Sequence, residues 1–413
     1  AGRELAIVAL TRLARSDPRS AAGLWNDRLR ERFPLEDQQY AWAMLASCGA
    51  RHHLPEAVDW FKKAGGMPLS DEQLAWRTRI ALRQGNWPEV KNAIERMSPT
   101  ERNEPVWIYW LGRSLLALGA QEGGQALLGR ISGEHHFYGR LAAEELGMPL
   151  QIPKKATMPA HEELTKVASL PGMRRALALY RLGLRTEASA EWLSTVHGMN
   201  DRALLAAAEL ARINGIWDRA INTADRTVAE HDFTLRYPAP YVNVLSKQAR
   251  VRKLDEPLVF GLVRQESRFI ADAKSSAGAS GLMQLMPSTA RLVARKIGMK
   301  GYNTSRLGRP EVNAALGAYY LRHVLDGFGG NPALAAAAYN AGPGRARRWR
   351  DAKPLEGAIY VETIPFAETR QYVKKVMANT VYYSAVMGGD QRSLKSRLGT
   401  VEGVTAMKAK AEE

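Results

Sequence analysis

The chain contains 413 residues, 46% of them hydrophobic, with a formal net charge of +16 at pH 7 and a single cysteine. The apolar content excludes a disordered chain, and the length predicts two or three domains. No apolar run reaches the roughly 18 residues that a membrane-spanning helix needs. One cysteine, Cys48, excludes both a disulfide framework and a multi-cysteine metal site.

The positive charge is concentrated in the second part of the chain. Residues 241–413 contain 27 Lys and Arg against 14 Asp and Glu, an excess of 13, whereas residues 1–240 contain 31 against 28. A strongly basic region favours an anionic partner, such as nucleic acid, an anionic membrane surface or a polymer that bears carboxylates. Charge alone does not choose among these three.

Residues 1–150 are predicted to form an array of helical hairpins. The chain opens with an amphipathic helical pattern and lacks the charged start and apolar core of a signal peptide. Trp42, Trp76 and Trp110 then recur every 34 residues, each followed seven to nine residues later by a glycine, at positions 49, 85 and 119. This period predicts stacked hairpins in which each glycine ends the first helix. Such an array is a scaffold and carries no chemistry by itself.

Two breaks divide the rest of the chain. The first break is at residues 147–161, GMPLQIPKKATMPAH, which have no helical periodicity. The second is the proline-containing stretch YPAPY at 237–241. The helical pattern between the breaks predicts a small helical domain over 151–238. After the second break, helices alternate with glycine-rich turns over 239–413. A short β-hairpin is expected in 353–364, because IYVETI is rich in β-forming residues.

The stretch LVFGLVRQESRF, residues 258–269, places one carboxylate, Glu266, on an apolar helical stripe. The sequence Asp255-Glu256-Pro257 is a favourable helix start. The residues three and four positions from Glu266, at 262, 263, 269 and 270, are apolar, so no ion pair within the helix is expected. Apolar surroundings should raise the pKa of Glu266, which suits a general acid. For the stretch alone, a glutamate satisfied by backbone donors or exposed at a helix end remains an open alternative.

Three further segments place polar side chains at turns and helix ends. KSSAGASGLMQLMPSTA, 274–290, carries Gln284, which can both donate to and accept from sugar hydroxyls. NPALAAAAYNAGPGR, 331–345, ends a helix at Tyr339 and Asn340, and YVETIPFAETRQYVKKV, 360–376, spaces Glu368 and Tyr372 by one helical turn. Each segment also has a purely structural interpretation: an interhelical turn, a buried tyrosine with a capping asparagine, and a surface ion pair.

Several common catalytic motifs are absent. The sequence contains no HExxH, no P-loop, no GxSxG and no Cys/His cluster, and its eight histidines are scattered. We therefore expect no metal and no nucleotide or other cofactor.

Together and in this order, the polar segments resemble the soluble, Slt-type lytic transglycosylases. The matching sequences are ES at 266–267, GLMQ at 281–284, AYNAG at 338–342 and the later Tyr372; the flank KSSAGASGLMQLMP also matches, with Ser275 at the family's serine position. The resemblance implies an all-α protein of three domains. These are a U-type helical-repeat superhelix forming a partial ring over 1–150, a small helical linker domain over 151–238, and an α-rich lysozyme-like catalytic domain over 239–413.

The resemblance also implies a reaction. Members of the family are carbon–oxygen lyases that cleave the β-1,4 bond between N-acetylmuramic acid and N-acetylglucosamine in peptidoglycan and form a 1,6-anhydromuramoyl product. Glu266 would be the single acid and base, since an intramolecular nucleophile removes the need for the second carboxylate of ordinary glycosidases. The expected substrate-binding residues are Ser275, Gln284, Met286, Tyr339, Asn340, Glu368 and Tyr372, with Glu362 a nearby rival to Glu368.

The expected partners follow from this substrate. They are peptidoglycan glycan strands, whose peptide stems carry carboxylates that suit the basic region, together with other cell-wall enzymes. Nucleic acid and a membrane span are not expected, and the protein is expected to be a monomer. A periplasmic location is inferred from the substrate and not from a signal sequence.

Two alternatives stay open at this point. A lysozyme-type hydrolase would need Asp272 or Glu362 to activate water. A helical scaffold that binds nucleic acid through its basic region would show strongly salt-dependent binding, but it leaves the surroundings of Glu266 unexplained, and aromatic residues do not interleave with the basic ones.

Overall fold

The computed structural model describes residues 2–390 and 392–404, and these are almost entirely α-helical. The helices are α1 Gly2–Ala14, α2 Pro18–Leu24, α3 Leu35–Arg51, α4 Ala57–Lys63, α5 Asp71–Gln84, α6 Trp87–Glu95, α7 Pro99–Arg102, α8 Pro105–Ala117, α9 Gln121–Ile131, α10 Phe137–Glu145, α11 His161–Ser169, α12 Pro171–Arg181, α13 Arg185–Thr195, α14 Asp201–Ile213, α15 Trp217–Ala224, α16 Phe233–Arg236, α17 Val242–Val251, α18 Glu256–Glu266, α19 Pro287–Lys296, α20 Pro310–Asp326, α21 Pro332–Ala341, α22 Pro343–Arg348, α23 Gly357–Glu362, α24 Ala367–Val386 and α25 Leu394–Leu398. Two strands, β1 Leu355–Glu356 and β2 Thr400–Val401, pair antiparallel. The predicted all-α fold class is confirmed.

The chain forms two compact units. The first comprises Ala1–Pro149, Asn340–Lys374 and Ser393–Glu413, as far as these ranges are described, and the second comprises Leu150–Tyr339 and Lys375–Arg392. The division into repeat, linker and catalytic domains at 150 and 238 stays a prediction. No helix in the described part of the chain is long and apolar enough to cross a membrane.

The first 149 residues pack as successive helix pairs, as the tryptophan period predicts. Helix α3 packs on α4, α5 on α6 and α8 on α9. Trp42, Trp76 and Trp110 are all buried. Burial of three large aromatic side chains at one period contributes to the apolar packing within the array.

The glycines that follow these tryptophans do not all act alike. Gly85 has φ 66° and ends α5, and Gly119, with φ 86°, lies just beyond α8, as predicted for both. The prediction for Gly49 is wrong, because α3 continues through it to Arg51. A Cβ at position 49 would lie 2.6 Å from the Trp60 ring, so this glycine allows close packing between α3 and α4.

The two predicted breaks are present as non-helical segments. Helix α10 ends at Glu145 and α11 begins at His161, while α16 ends at Arg236 and α17 begins at Val242. Between the breaks, α12 packs on α13 and α14 on α15, around a core that contains Met173. After the second break, α17 packs on α18 and α20, and α19 packs on α20.

The prediction of a β-hairpin in 353–364 is wrong. Residues 357–362 form helix α23, and only Leu355–Glu356 is extended, paired with Thr400–Val401 from far along the chain. All residues of α23 are buried, and the Gly357 N–H donates to the Gly399 carbonyl at 2.8 Å. Tertiary packing on every side of IYVETI overrides its β propensity.

Candidate active site

Helix α18, which carries Glu266, is anchored by a buried arginine in its last turn. The Arg264 guanidinium donates to the Asp225 carboxylate at 2.8 Å, to Asn379 Oδ1 at 3.0 Å and to the Arg236 carbonyl at 2.9 Å. Charge-assisted bonds of this kind are roughly twice as strong as neutral ones. They fix the backbone two residues before Glu266.

The chain reverses sharply just after Glu266. Helix α18 ends at this residue, and Arg268 and Phe269 then adopt left-handed conformations with φ 47° and 65°. The Ser267 hydroxyl holds the reversal, since it donates to the Leu282 carbonyl at 2.8 Å and accepts from the Phe269 N–H at 3.1 Å. Two non-glycine residues in this region cost about 1–3 kcal/mol each, a cost that is often found at functional sites.

The end of α18 corrects one expectation from the sequence. Only the residues before Glu266, at 262 and 263, share its helix, because Phe269 and Ile270 lie beyond the reversal. Glu266 itself is half-buried at the last position of the helix. Its side chain therefore stands at the edge of the packed core and not inside it.

The Gly281–Gln284 turn is built around a buried asparagine. Asn313 is fully buried; its Oδ1 accepts from the Met283 N–H at 2.7 Å, and its Nδ2 donates to the Ser280 and Leu307 carbonyls. Gly281 has φ 84°, and a Cβ there would lie 2.1 Å from Asn313 Nδ2. Only glycine fits this position, which explains the glycine of the GLMQ sequence.

Gln284 is held by its amide nitrogen. Its backbone has φ 42°, and Nε2 donates to the carbonyls of Ala273 at 3.1 Å and Gly281 at 2.8 Å. With both amide hydrogens used, the side chain can offer only its Oε1 acceptor to a ligand.

Tyr339 joins this turn to Glu266. Its hydroxyl donates to the Met283 carbonyl at 2.8 Å, and its ring centre lies 5.2 Å from that of Tyr320. Burial of the hydroxyl is the main cause that raises the pKa of Tyr339 well above its ordinary value, and the neighbouring ionisable groups of Glu266 and Tyr320 raise it further. The phenol therefore stays neutral, and Glu266 is close enough to act on it electrostatically.

The other two predicted site residues of the second unit lie at the surface. Ser275 is exposed, and its hydroxyl accepts from the Ala279 N–H at 3.0 Å within a short loop. Met286 is 41% exposed and directly precedes α19, whereas Met283 is fully buried. Of the two methionines, only Met286 can contact a ligand.

Three predicted residues belong to the first unit. Asn340 Oδ1 accepts from the Thr369 hydroxyl at 2.7 Å. Glu368 is exposed in the first turn of α24, and Tyr372, one turn later, is buried. The part of Asn340, Glu368 and Tyr372 in substrate binding stays a prediction.

Glu362, the rival carboxylate, is enclosed in an ion cluster of the first unit. It is fully buried, pairs with Arg79 at 3.0 Å and Lys374 at 2.5 Å, and accepts from the Tyr138 hydroxyl. Burial would raise the pKa of Glu362, but Lys374 and Arg79 outweigh it and lower the pKa to about 2. Both oxygens are engaged in the protein interior, which gives Glu362 a structural role.

Asn313 and Arg264 were missed as site-building residues by the sequence reasoning. Both are polar residues on buried faces of their helices, which is the same signal that singled out Glu266. Applied to every helix, that signal would have found them. For metals, the described residues contain no group of three His, Cys, Asp or Glu side chains that could hold an ion.

Comparison with known families places these residues in context. Residues 243–359 match the Transglycosylase SLT domain, residues 166–229 the Soluble lytic murein transglycosylase L domain, and residues 363–392 the Soluble lytic transglycosylase helical domain. The first match contains Glu266, Gln284 and Tyr339.

Two curated relatives align with nearly the whole chain. The soluble lytic murein transglycosylase of Escherichia coli K12 is 29% identical over 414 residues, 95% of this chain and 61% of that protein. The protein of the same name from Salmonella typhimurium is 29% identical over 406 residues, 94% and 60% of the two chains. The chain thus spans about three fifths of the length of these relatives.

Solved structures share the fold. The lytic transglycosylase Slt of Pseudomonas aeruginosa, solved as an inactive mutant with glutamine in place of a glutamate, is 33% identical with a TM-score of 0.83, covering 95% of this chain and 64% of that one. The 70 kDa soluble lytic transglycosylase of Escherichia coli is 27% identical with a TM-score of 0.78 and the same coverage. A 70 kDa soluble lytic transglycosylase solved in complex with bulgecin A is 28% identical with a TM-score of 0.77. That match again covers 95% of this chain and 64% of the other.

Proposed function

We propose that this chain, which resembles the soluble lytic transglycosylases over 95% of its length, cleaves the β-1,4 bond between N-acetylmuramic acid and N-acetylglucosamine in peptidoglycan and forms a 1,6-anhydromuramoyl product. The observation that carries the proposal is Glu266 at the end of an anchored helix, beside the neutral Tyr339. A solved relative that is inactive with glutamine in place of a glutamate supports an essential carboxyl group in this chain as well.

Glu266 acts first as an acid. Its carboxyl proton passes to the glycosidic oxygen as the bond from muramoyl C1 to that oxygen breaks, and the sugar acetamido group stabilises the developing cation. The last position of a helix carries partial negative charge, which disfavours a second negative charge there and so favours the protonated carboxyl group.

The same group then acts as a base. The Glu266 carboxylate removes the proton from the muramoyl C6 hydroxyl, and the C6 oxygen bonds to C1 to close the anhydro ring. The carboxyl proton is restored and no water is consumed. One carboxylate therefore serves both steps, whereas hydrolysis needs a pair about 5–10 Å apart.

The turn beside Glu266 is suited to hold the sugar. Gln284 offers an acceptor oxygen, Tyr339 fixes the turn through its hydroxyl, and Ser275 and Met286 lie at the surface next to it. We include Asn340, Glu368 and Tyr372, which lie in and after the third motif, as substrate-binding residues on the resemblance alone.

The proposed setting follows from the substrate. Residues 1–150, 151–238 and 239–413 act as superhelical scaffold, linker and catalytic domain. Glycan strands are the partner, the protein works as a monomer in the periplasm, and other cell-wall enzymes are its neighbours there.

Mass analysis of digested peptidoglycan tests the reaction. The protein should release muropeptides with anhydro ends, which are lighter by one water than hydrolysed ends. Glu266→Gln should release no product while retaining its helical circular dichroism. Reducing ends in the wild-type digest would instead show hydrolysis, and near wild-type activity of Glu266→Gln would remove Glu266 from the mechanism.

A further inference from the structure

A long stretch that contains the second motif and helix α19 has no acidic residue. Between Asp272 and Glu311 the chain contains seven Lys and Arg and no Asp or Glu. This stretch therefore carries 7 of the 13 excess positive charges of residues 241–413, and four of its seven cations lie in helix α19 or just after it. The proposed acid–base chemistry of Glu266 uses none of these cations.

Part of this stretch lines an open groove of 930 Å³ in the second unit. Its walls include Ser288, Arg291, Arg295, Met299, Lys300 and Tyr302, and we call it the basic groove. The three cations are exposed, and none forms an ion pair within the described part of the chain. They are available to a ligand.

A hydrogen bond and two glycine turns shape the backbone around the basic groove. After α19, the Met299 N–H donates to the Ala294 carbonyl at 2.9 Å, and Gly298 and Gly301 adopt φ 64° and 62°. The Tyr302 ring packs against the core beneath the groove, and the positive charge of Arg291 acts on it. The groove is thus a concave surface on packed elements.

Compensation of the helix dipole does not explain these charges. Cations in the last turn of α19, Arg295 and Lys296, would suffice against a partial charge of about −0.5. Arg291 lies a turn earlier, and Lys300 lies beyond the helix. Arg291 and Arg295 are also four residues apart, where like charges repel and destabilise a helix. Such an arrangement is favourable when an anion is bound.

We propose that the basic groove binds the carboxylates of a peptide stem on the glycan strand, an inference that rests on the proposed function. The groove begins at Ser288, two residues after Met286 at the candidate site. From Ser288 to Arg295 the helix rises about 10 Å, and an extended stem of five residues reaches about 16–18 Å. A stem attached to a muramic acid held near Met286 can therefore lie along α19.

The test compares two substrates and two variants of the full chain. The substrates are glycan strands with intact peptide stems and the same strands stripped of stems by an amidase. The first variant replaces three groove cations, Arg291→Ala, Arg295→Ala and Lys300→Ala together. The second, Lys296→Ala, removes an exposed cation of the same helix that does not line the groove.

The triple variant should lose about tenfold in kcat/KM on strands with stems, as expected for three exposed ion pairs. It should be unchanged on stripped strands, and Lys296→Ala should be unchanged on both. The rate of the wild type on strands with stems should fall with added salt more steeply than that of the triple variant. Equal losses on both substrates, or no loss on strands with stems, would overturn the proposal.

A binding measurement separates this proposal from the proposed chemistry. Glu266→Gln with an intact groove should bind a disaccharide tetrapeptide about tenfold more tightly in calorimetry than the same protein that also carries the triple change. If the wild type cleaves neither substrate, the proposed function fails while this binding difference still tests the groove. Equal binding by the two proteins would reject the groove as a stem site.

Discussion

Glu266 and Glu362 occupy the same local position and face different surroundings. Each is the last residue of an α-helix, α18 or α23, and each is followed by a hydroxyl residue, Ser267 or Thr363. Glu362 is fully buried between Arg79 and Lys374, whereas Glu266 is half-buried and within electrostatic reach of Tyr339. The comparison shows that a glutamate at a helix end acquires its role from the charges around it.

The physical difference lies in which protonation state each environment favours. Two cations and a phenol hold Glu362 ionised, with its pKa lowered to about 2, so it cannot supply a proton near neutral pH. Removing one partner from a buried ion pair is costly because the remaining charge has no compensation. Glu266 lies at the edge of the core, where a substrate can reach it, beside polar groups that can contact a sugar.

The largest expected effects come from exchanging each glutamate for glutamine. Glu266→Gln should lower the rate of cleavage on the order of 10⁴-fold, the upper range for acid–base catalysis, and leave the unfolding midpoint unchanged. Glu362→Gln should show the reverse, losing about 3–5 kcal/mol of stability because Arg79 and Lys374 stay buried without their anion. Urea unfolding and cleavage assays on both variants provide the measurement.

A Glu362→Gln variant that is stable but inactive would contradict the structural role of Glu362, because it would make this residue part of the chemistry. Activity must be assayed at a temperature where this variant is folded, which circular dichroism can establish.

A smaller effect is expected from pH. The pKa of Glu362 is lowered to about 2 in the folded protein, so the unfolded chain binds more protons than the folded one below the ordinary value of 4.5. This contribution to stability is complete above about pH 4.5 and is lost as the pH falls toward about 2. Between about pH 5 and about pH 3 the loss is on the order of 2 kcal/mol. Denaturant titrations at about pH 5 and about pH 3 should show it.

Glu362→Gln is the control for this pH dependence. Other carboxylates titrate in the same range in both proteins, so only the difference between wild type and variant reports on Glu362. Parallel pH profiles of the two proteins would assign the acid sensitivity elsewhere.

The smallest expected effect comes from a substitution of Tyr339, which lies beside Glu266. Tyr339→Phe removes the hydroxyl that donates to the Met283 carbonyl and leaves that acceptor without this bond, at a cost of about 1 kcal/mol. Because the bond holds the turn that carries Gln284, KM should rise more than kcat falls. Steady-state kinetics on glycan strands checks this, with Tyr320→Phe as the matched ring-preserving control. An unchanged KM would remove Tyr339 from positioning the turn.

Local patterns predicted much of this molecule. The all-α class, the helix pairs that follow the tryptophan period, the two breaks and the start of α18 at Asp255-Glu256-Pro257 all depend on residues close together in the chain. The GLMQ turn was also visible, because a glycine that must adopt positive φ is a local requirement.

Other features depend on residues that are distant in sequence. The end of α18 at Glu266, which places Phe269 beyond a left-handed reversal, follows from the bond between Ser267 and Leu282. Position 49, inside its helix, requires glycine because the Trp60 ring leaves no room for a Cβ there. The helix that replaces the expected β-hairpin is buried on all sides, which no propensity scale records.

The sequence by itself determined the helical architecture and the candidate glutamate, since periodicity and an out-of-place carboxylate are properties of short stretches. Only the tertiary structure decided which glutamate is locked in an ion cluster and which stands beside a tyrosine and a turn. Arg79 and Glu362 are 283 residues apart, and the energy of an ion pair depends on distance and burial in space, which the order of residues along the chain does not reveal.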